Sequence, residues 1–168
     1  MRTRTRRLTT TLAALALGLV VAPVATSTPA GAATSGSARV QVRAVPSSYD
    51  AQVLYWTNVA RRQHGVRPLR AGGCVDRFAE RWDARMAARD IFRHQHLRPV
   101  LRRCHRHTAA ENIAWGTGSL SAYRVVQMWM HSPGHRHNLL NPRYTVLGIG
   151  SWRSADSGRL YVTQDFAG

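Results

Sequence analysis

Eight histidines are spread through the 168 residues, and six of them fall in His-x-His pairs: His94 with His96, His105 with His107, and His135 with His137. Two imidazoles two residues apart share one side of a strand and can chelate a metal, whereas on a helix they point about 200° apart and cannot easily do so. The pair inside His131-Ser132-Pro133-Gly134-His135-Arg136-His137-Asn138 belongs to the second case. Ser132 is a good N-cap and Pro133 a good first helical residue, so a short helix starts there with His135 in its first turn. The pair at 105 and 107 sits beside Cys104 among arginines, whose charge opposes a bound cation. A dispersed set is more promising, because His94, Glu111 and His135 each stand where an element is expected to end, and folds build sites at such ends. Two imidazoles and one carboxylate are the minimum for an open zinc site or for a general acid and base pair. Spacing alone leaves open whether the three share a site.

Several elements must position these residues. Ser48 can cap a helix running to about His64, with Tyr49, Val53, Trp56 and Ala60 on one face and Gly65 as its stop. Val75, Phe78, Ala79, Trp82 and Met86 recur at helical spacing, predicting a second helix of about 18 residues that ends near Phe92, its Arg and Asp residues outward. Glu111 to Trp115 reads as a short extended piece broken by Gly116-Thr117-Gly118. Ser119 or Ser121 then caps a third helix to about Met130, and the helix opened by Ser132 and Pro133 stops at Asn141-Pro142. The chain closes on a hairpin of Val146 to Gly150 and Leu160 to Gln164 around Asp156-Ser157-Gly158. Helices flank strands without regular alternation, which implies an α+β layered domain and not a parallel βαβ sheet.

The first 33 residues read as a secretory signal: Arg2, Arg4, Arg6 and Arg7, an apolar stretch from Leu12 to Val24, and the small residues Ala30-Gly31-Ala32-Ala33. Residues 34–47 mix small residues, Gly and Pro and read as a linker, leaving 48–168 as one domain of a size that can bury a real core. The expected product is exported and released, with no membrane anchor, and monomeric. Cys74 and Cys104 are then bound for an oxidising compartment, where one disulfide is the default. The formal charge of +16 favours acidic partners such as wall polymers or anionic lipids. All of the basic residues are Arg, which reads as coding bias more than as a selected face. The densest cluster, Arg98, Arg102, Arg103 and Arg106, is expected to be a solvated loop able to attract acidic polymers, with no specific recognition of nucleic acid.

Ordered motifs add a family resemblance. They run from Asn58-x-x-Arg61 and Gly65-x-x-Pro68-Leu69 through Ala79-x-x-Trp82, Phe92-x-His94 and Glu111-Asn112-Ile113-Ala114. They continue in Trp129-x-x-Ser132-Pro133-Gly134-His135-Arg136-x-Asn138-Leu139-Leu140-Asn141-Pro142, Leu147-Gly148-Ile149-Gly150 and Gln164-Asp165-Phe166. In this the chain resembles the bacterial secreted CAP-domain proteins, the superfamily of cysteine-rich secretory, antigen 5 and pathogenesis-related 1 proteins. The resemblance implies a three-layer α-β-α sandwich with a central, mainly antiparallel sheet and a cavity lined by His94, Glu111 and His135. The two histidines are the metal candidates within it, for a divalent ion such as zinc or calcium. A second acid found in eukaryotic relatives falls on Ser132, and Asn112 is a further lining candidate. The function implied is extracellular binding of a lipid, a cell-wall component or a divalent cation. The alternatives are a metal-dependent hydrolase built on His94, Glu111 and His135, and polyanion binding through the arginines. No Ser or Cys stands in a nucleophile motif.

Overall fold

The computed structural model describes residues 48–168. The expected signal peptide and linker lie outside these described residues. Helix α1 spans Tyr49–Gln63, with the Ser48 hydroxyl accepting a hydrogen bond from the Ala51 amide at its start and Gly65 at φ +69 just past its end. A two-residue strand β1, Arg70–Ala71, which the sequence reading lacks, leads into α2, Gly73–Arg89. Helix α2 stops at Asp90 and not near Phe92, because Asp90 takes the left-handed conformation (φ 48°, ψ 41°) and turns the chain. Arg98–Arg103 forms a third helix, α3, so three of the four arginines of the cluster, Arg98, Arg102 and Arg103, are helical where a loop is expected. Then follow β2 (Ala109–Gly116), α4 (Ala122–His131, capped by Ser121), α5 (Pro133–Leu140), β3 (Val146–Arg153) and β4 (Leu160–Ala167).

The four strands form one sheet in the order β1-β3-β4-β2, antiparallel except for the short β1. Successive side chains of a strand point to opposite faces, so each strand serves two cores. On one face Ala114, Val162 and Phe166 pack with Val53, Val125, Trp129 and Leu139 of α1, α4 and α5. On the other, Ile113 and Tyr161 meet Met86 and Ala87 of α2, while Val146 and Ala167 meet Val75 and Val100. This is the expected α-β-α sandwich. Helix α2 lies unusually close to the sheet. A Cβ on Gly148 would stand 2.4 Å from the Val75 backbone and one on Gly150 would stand 2.5 Å from that of Ala79, so both positions require glycine.

The expected outward placement of the α2 acids fails at Asp83, which is fully buried. Its carboxylate accepts from the Thr163 amide at 2.9 Å and hydroxyl at 2.8 Å, tying helix to sheet. Arg61 is also buried, donating to the carbonyls of Arg67, Leu139, Asn141 and Tyr144 and so pinning the chain that leaves α5. Cys74 and Cys104 are bonded, joining the start of α2 to the end of α3.

Candidate functional site

The left-handed turn at Asp90 throws the chain back along α2, where the Trp82 indole N–H donates to the Arg93 carbonyl at 3.0 Å. That contact delivers His94 and Gln95 to β2, an edge strand of the sheet. Alternation along β2 sends Glu111 and Ile113 to the α2 side and Asn112 and Ala114 to the opposite side. His94 Nδ1 meets Glu111 Oε1 at 2.6 Å. The Gln95 amide donates to the same oxygen at 3.1 Å, and Gln95 Nε2 donates to Oε2 at 2.8 Å. Glu111 is therefore held by three N–H donors. Its side chain is 2% exposed against 59% for His94, so the carboxylate is hidden behind an accessible imidazole. A carboxylate oxygen accepts, which puts the proton of a neutral His94 ring on Nδ1 and leaves a lone pair on Nε2.

Asp165 completes this cluster from β4, directly opposite Glu111 in the strand register. Gln95 Nε2 reaches its oxygens at 2.9 and 3.2 Å, so one side-chain amide links both carboxyl groups. Burial, then the negative charge of Glu111 and of Asp83, push the Asp165 carboxyl well above the ordinary range, with the Gln95 hydrogen bond opposing.

His135 comes from the other side of β2. Its carbonyl accepts from Asn112 Nδ2 at 3.1 Å, while Asn138 Nδ2 donates to Asn112 Oδ1 at 3.0 Å and to the Glu111 carbonyl at 3.3 Å. The first turns of α5 are thereby fastened to the strand that carries Glu111. Among the described residues the His135 ring has no hydrogen-bond partner. Burial first, and then the neighbouring His94, lower its pKa, so the ring stays neutral at neutral pH. Asn112 is fully buried and also bonds Gln164, so it fastens α5 to the sheet and does not face solvent. Ser132 holds the N-cap position of α5, but its hydroxyl makes no capping hydrogen bond. The position matches the expectation and the bond does not.

The site thus joins His94 to Glu111 directly and His135 to them through two asparagines. A pocket of about 510 Å³ opens between α2 and the 93–99 segment and takes in His94, Gln95 and His96, but neither Glu111 nor His135. His105, His107, His131 and His137 are exposed and apart from the site. Among the described residues, no three His, Cys, Asp or Glu side chains are grouped as they would be around a metal ion. Gln95 and Asp165 are what sequence reasoning missed. A signal existed for Asp165, an acid inside the otherwise uncharged strand LYVTQDFA.

Residues 54–166 match the family model described as CAP, the cysteine-rich secretory protein family. This chain belongs to that family. Among curated relatives, Bacillus subtilis YkwD is 32% identical over 130 residues, covering 73% of this chain and 48% of the relative. A membrane protein of the same organism, YlbC, is 31% identical over 129 residues, covering 73% and 35%. The chain spans half or less of the length of these curated relatives. Solved structures share the fold. An extracellular SCP-domain protein of Bacillus anthracis matches with TM-score 0.59 and 26% identity, covering 74% of this chain and 45% of that one. An outer surface protein of Borrelia burgdorferi shares the fold with TM-score 0.59 at 17% identity, covering 68% of this chain and 88% of that one. Among the described residues no helix is long and apolar enough to cross a membrane.

Proposed function

We propose that this chain is an extracellular binding domain, and not a hydrolase, in which His94 and His135 present imidazole to a ligand while Glu111 stands behind them. The observation that carries this reading is the hydrogen-bond shell of Glu111. A general base must reach the proton it removes, yet both oxygens of this carboxylate already accept from His94 and Gln95. The extracellular setting is supported by the Bacillus anthracis and Borrelia burgdorferi proteins, described as extracellular and outer surface, and by the export signal expected from residues 1–33.

A second reading has its own support. A carboxylate on the far nitrogen of a histidine is the arrangement that orients and strengthens a zinc-binding imidazole. His94 and His135 would be the protein donors, and zinc bound there would supply a Lewis acid. Two imidazoles fall short of the three protein ligands usual for catalytic zinc, and they suit calcium poorly because calcium takes oxygen donors. The discriminating experiment is a thermal-shift screen of the purified protein with zinc, calcium, lipids and cell-wall fragments, repeated on His94→Ala and His135→Ala beside a peptide and wall hydrolysis assay. The expected result is a stabilising ligand whose effect disappears in both variants, with no turnover. Metal-dependent turnover lost in His135→Ala would overturn the binding reading.

A further inference from the structure

On the solvent side of α2 lies a groove that shares His94 and Gln95 with the histidine site but carries a set of arginines of its own. Its first part is the pocket of about 510 Å³, where Phe78, Trp82 and Pro99 give an apolar lining and Arg81, Arg85 and Arg93 carry the charge. A second pocket of about 470 Å³ adjoins it, sharing Pro99 and lined by Arg98, Arg102 and Arg103 of α3. All six arginines are exposed. The ion pairs among the described residues are His94 with Glu111 and Arg159 with Asp90, so none of the six has a carboxylate partner there. The acids of α2 are turned elsewhere. Asp76 accepts from the Ile149 amide, Asp83 from Thr163, and Glu80 lies towards Asp50 and Asp76, whose carboxyls it pushes up.

Two like-charged pairs at one helical turn, Arg81 with Arg85 and Arg98 with Arg102, therefore flank the groove and repel without internal relief. An external anion would remove that repulsion. The walls are also built in place: the indole of Trp82 is fixed by its bond to the Arg93 carbonyl and overlain by the Arg85 guanidinium at 5.7 Å. Every residue lining the two pockets lies inside the loop closed by Cys74–Cys104.

We propose that this groove binds an anionic saccharide chain, with acidic groups on successive units meeting the two arginine sets and the apolar faces of the rings resting on Phe78 and Pro99. Guanidinium groups grip carboxylate and phosphate through paired N–H donors, and two adjoining cationic pockets suit a repeating ligand better than a single anion. A bilayer is flat and does not enter concave pockets. Single-stranded nucleic acid is held by stacking successive bases on open aromatic faces, whereas the Trp82 indole is overlain by the Arg85 guanidinium.

The test is calorimetric titration of the intact protein at roughly 50 mM salt, where charge-driven binding is strong. The titrants are an oligogalacturonide, a phosphorylated maltodextrin, neutral dextran, oligothymidylate of equal charge and phosphatidylglycerol vesicles. We expect one or both acidic glycans to bind at least about tenfold more tightly than the other three, the stronger of the two telling carboxylate from phosphate. Arg81→Gln/Arg85→Gln/Arg93→Gln should weaken that binding about tenfold or more, while Arg62→Gln/Arg67→Gln/Arg124→Gln, an equal loss of charge elsewhere, should change it less than about threefold. The single variant Arg85→Gln, expected to cost a few-fold, serves if the triple variant does not fold. Equal weakening in both triples, tighter binding of oligothymidylate or vesicles, or no binding of either glycan would each overturn the assignment.

Discussion

Reduction of the Cys74–Cys104 bridge should lower the melting temperature by about 14 °C, and the figure follows from where the bridge sits. The two cysteines are 30 positions apart. Closing a loop of that length removes about 12 cal/mol/K of entropy from the unfolded chain, or about 3.6 kcal/mol at 25 °C. Unfolding a domain of about 120 residues carries about 0.25 kcal/mol/K near its midpoint, and the ratio of the two gives the expected shift. Reduction is the cleaner perturbation, because both sulfurs stay and Cys104 keeps its packing with Val75, Val100, Val146 and Ala167. The assay is scanning calorimetry with and without reductant, with thiol titration to show that both cysteines are free. A fall of less than about 4 °C with both thiols titrated would refute the reasoning, since it would mean that the unfolded chain gains little freedom when the loop opens. Because the arginine groove lies wholly within this loop, glycan binding should weaken in the same reduced sample.

Two further outcomes are expected. Burial and the neighbouring acids raise the Asp165 carboxyl, so the folded state holds its proton to higher pH than the unfolded chain does. Stability should therefore be lost as pH rises from the unfolded pKa, near 4, through the raised folded value. Asp165→Asn should raise the urea midpoint at pH 8 more than at pH 4, and an unchanged pH slope would count against a buried, strained carboxyl. Gly148→Ala should cost about 1–3 kcal/mol by forcing α2 away from β3, and a midpoint within error of the wild type would show that the helix can shift freely.

Much of this fold is legible in the sequence. The caps at Ser48 and Ser121, the left-handed Gly65, the period of Val75 to Met86 and the closing hairpin are local features, set by residues within a few positions of one another. The motifs around Glu111 and Ser132 to Pro142 marked Glu111 and His135 as candidates for the same reason, as short runs of fixed spacing. Long-range choices were not readable. Nothing near Asp83 distinguishes it from Glu80, the exposed acid of its helix, and only Thr163, 80 positions away, makes its burial tolerable. Gln95 looks like a loop residue until the turn at Asp90 lays it between Glu111 and Asp165, which meet only through the strand register. The groove likewise needs α3 set beside α2, which no periodicity announces. The sequence by itself determined most of the elements, all but β1 and α3, and the family, because those rest on local spacing. Which carboxylates are buried, which donors hold them and which arginines share a groove were decided by the tertiary structure, because those depend on contacts between segments that the chain order keeps apart.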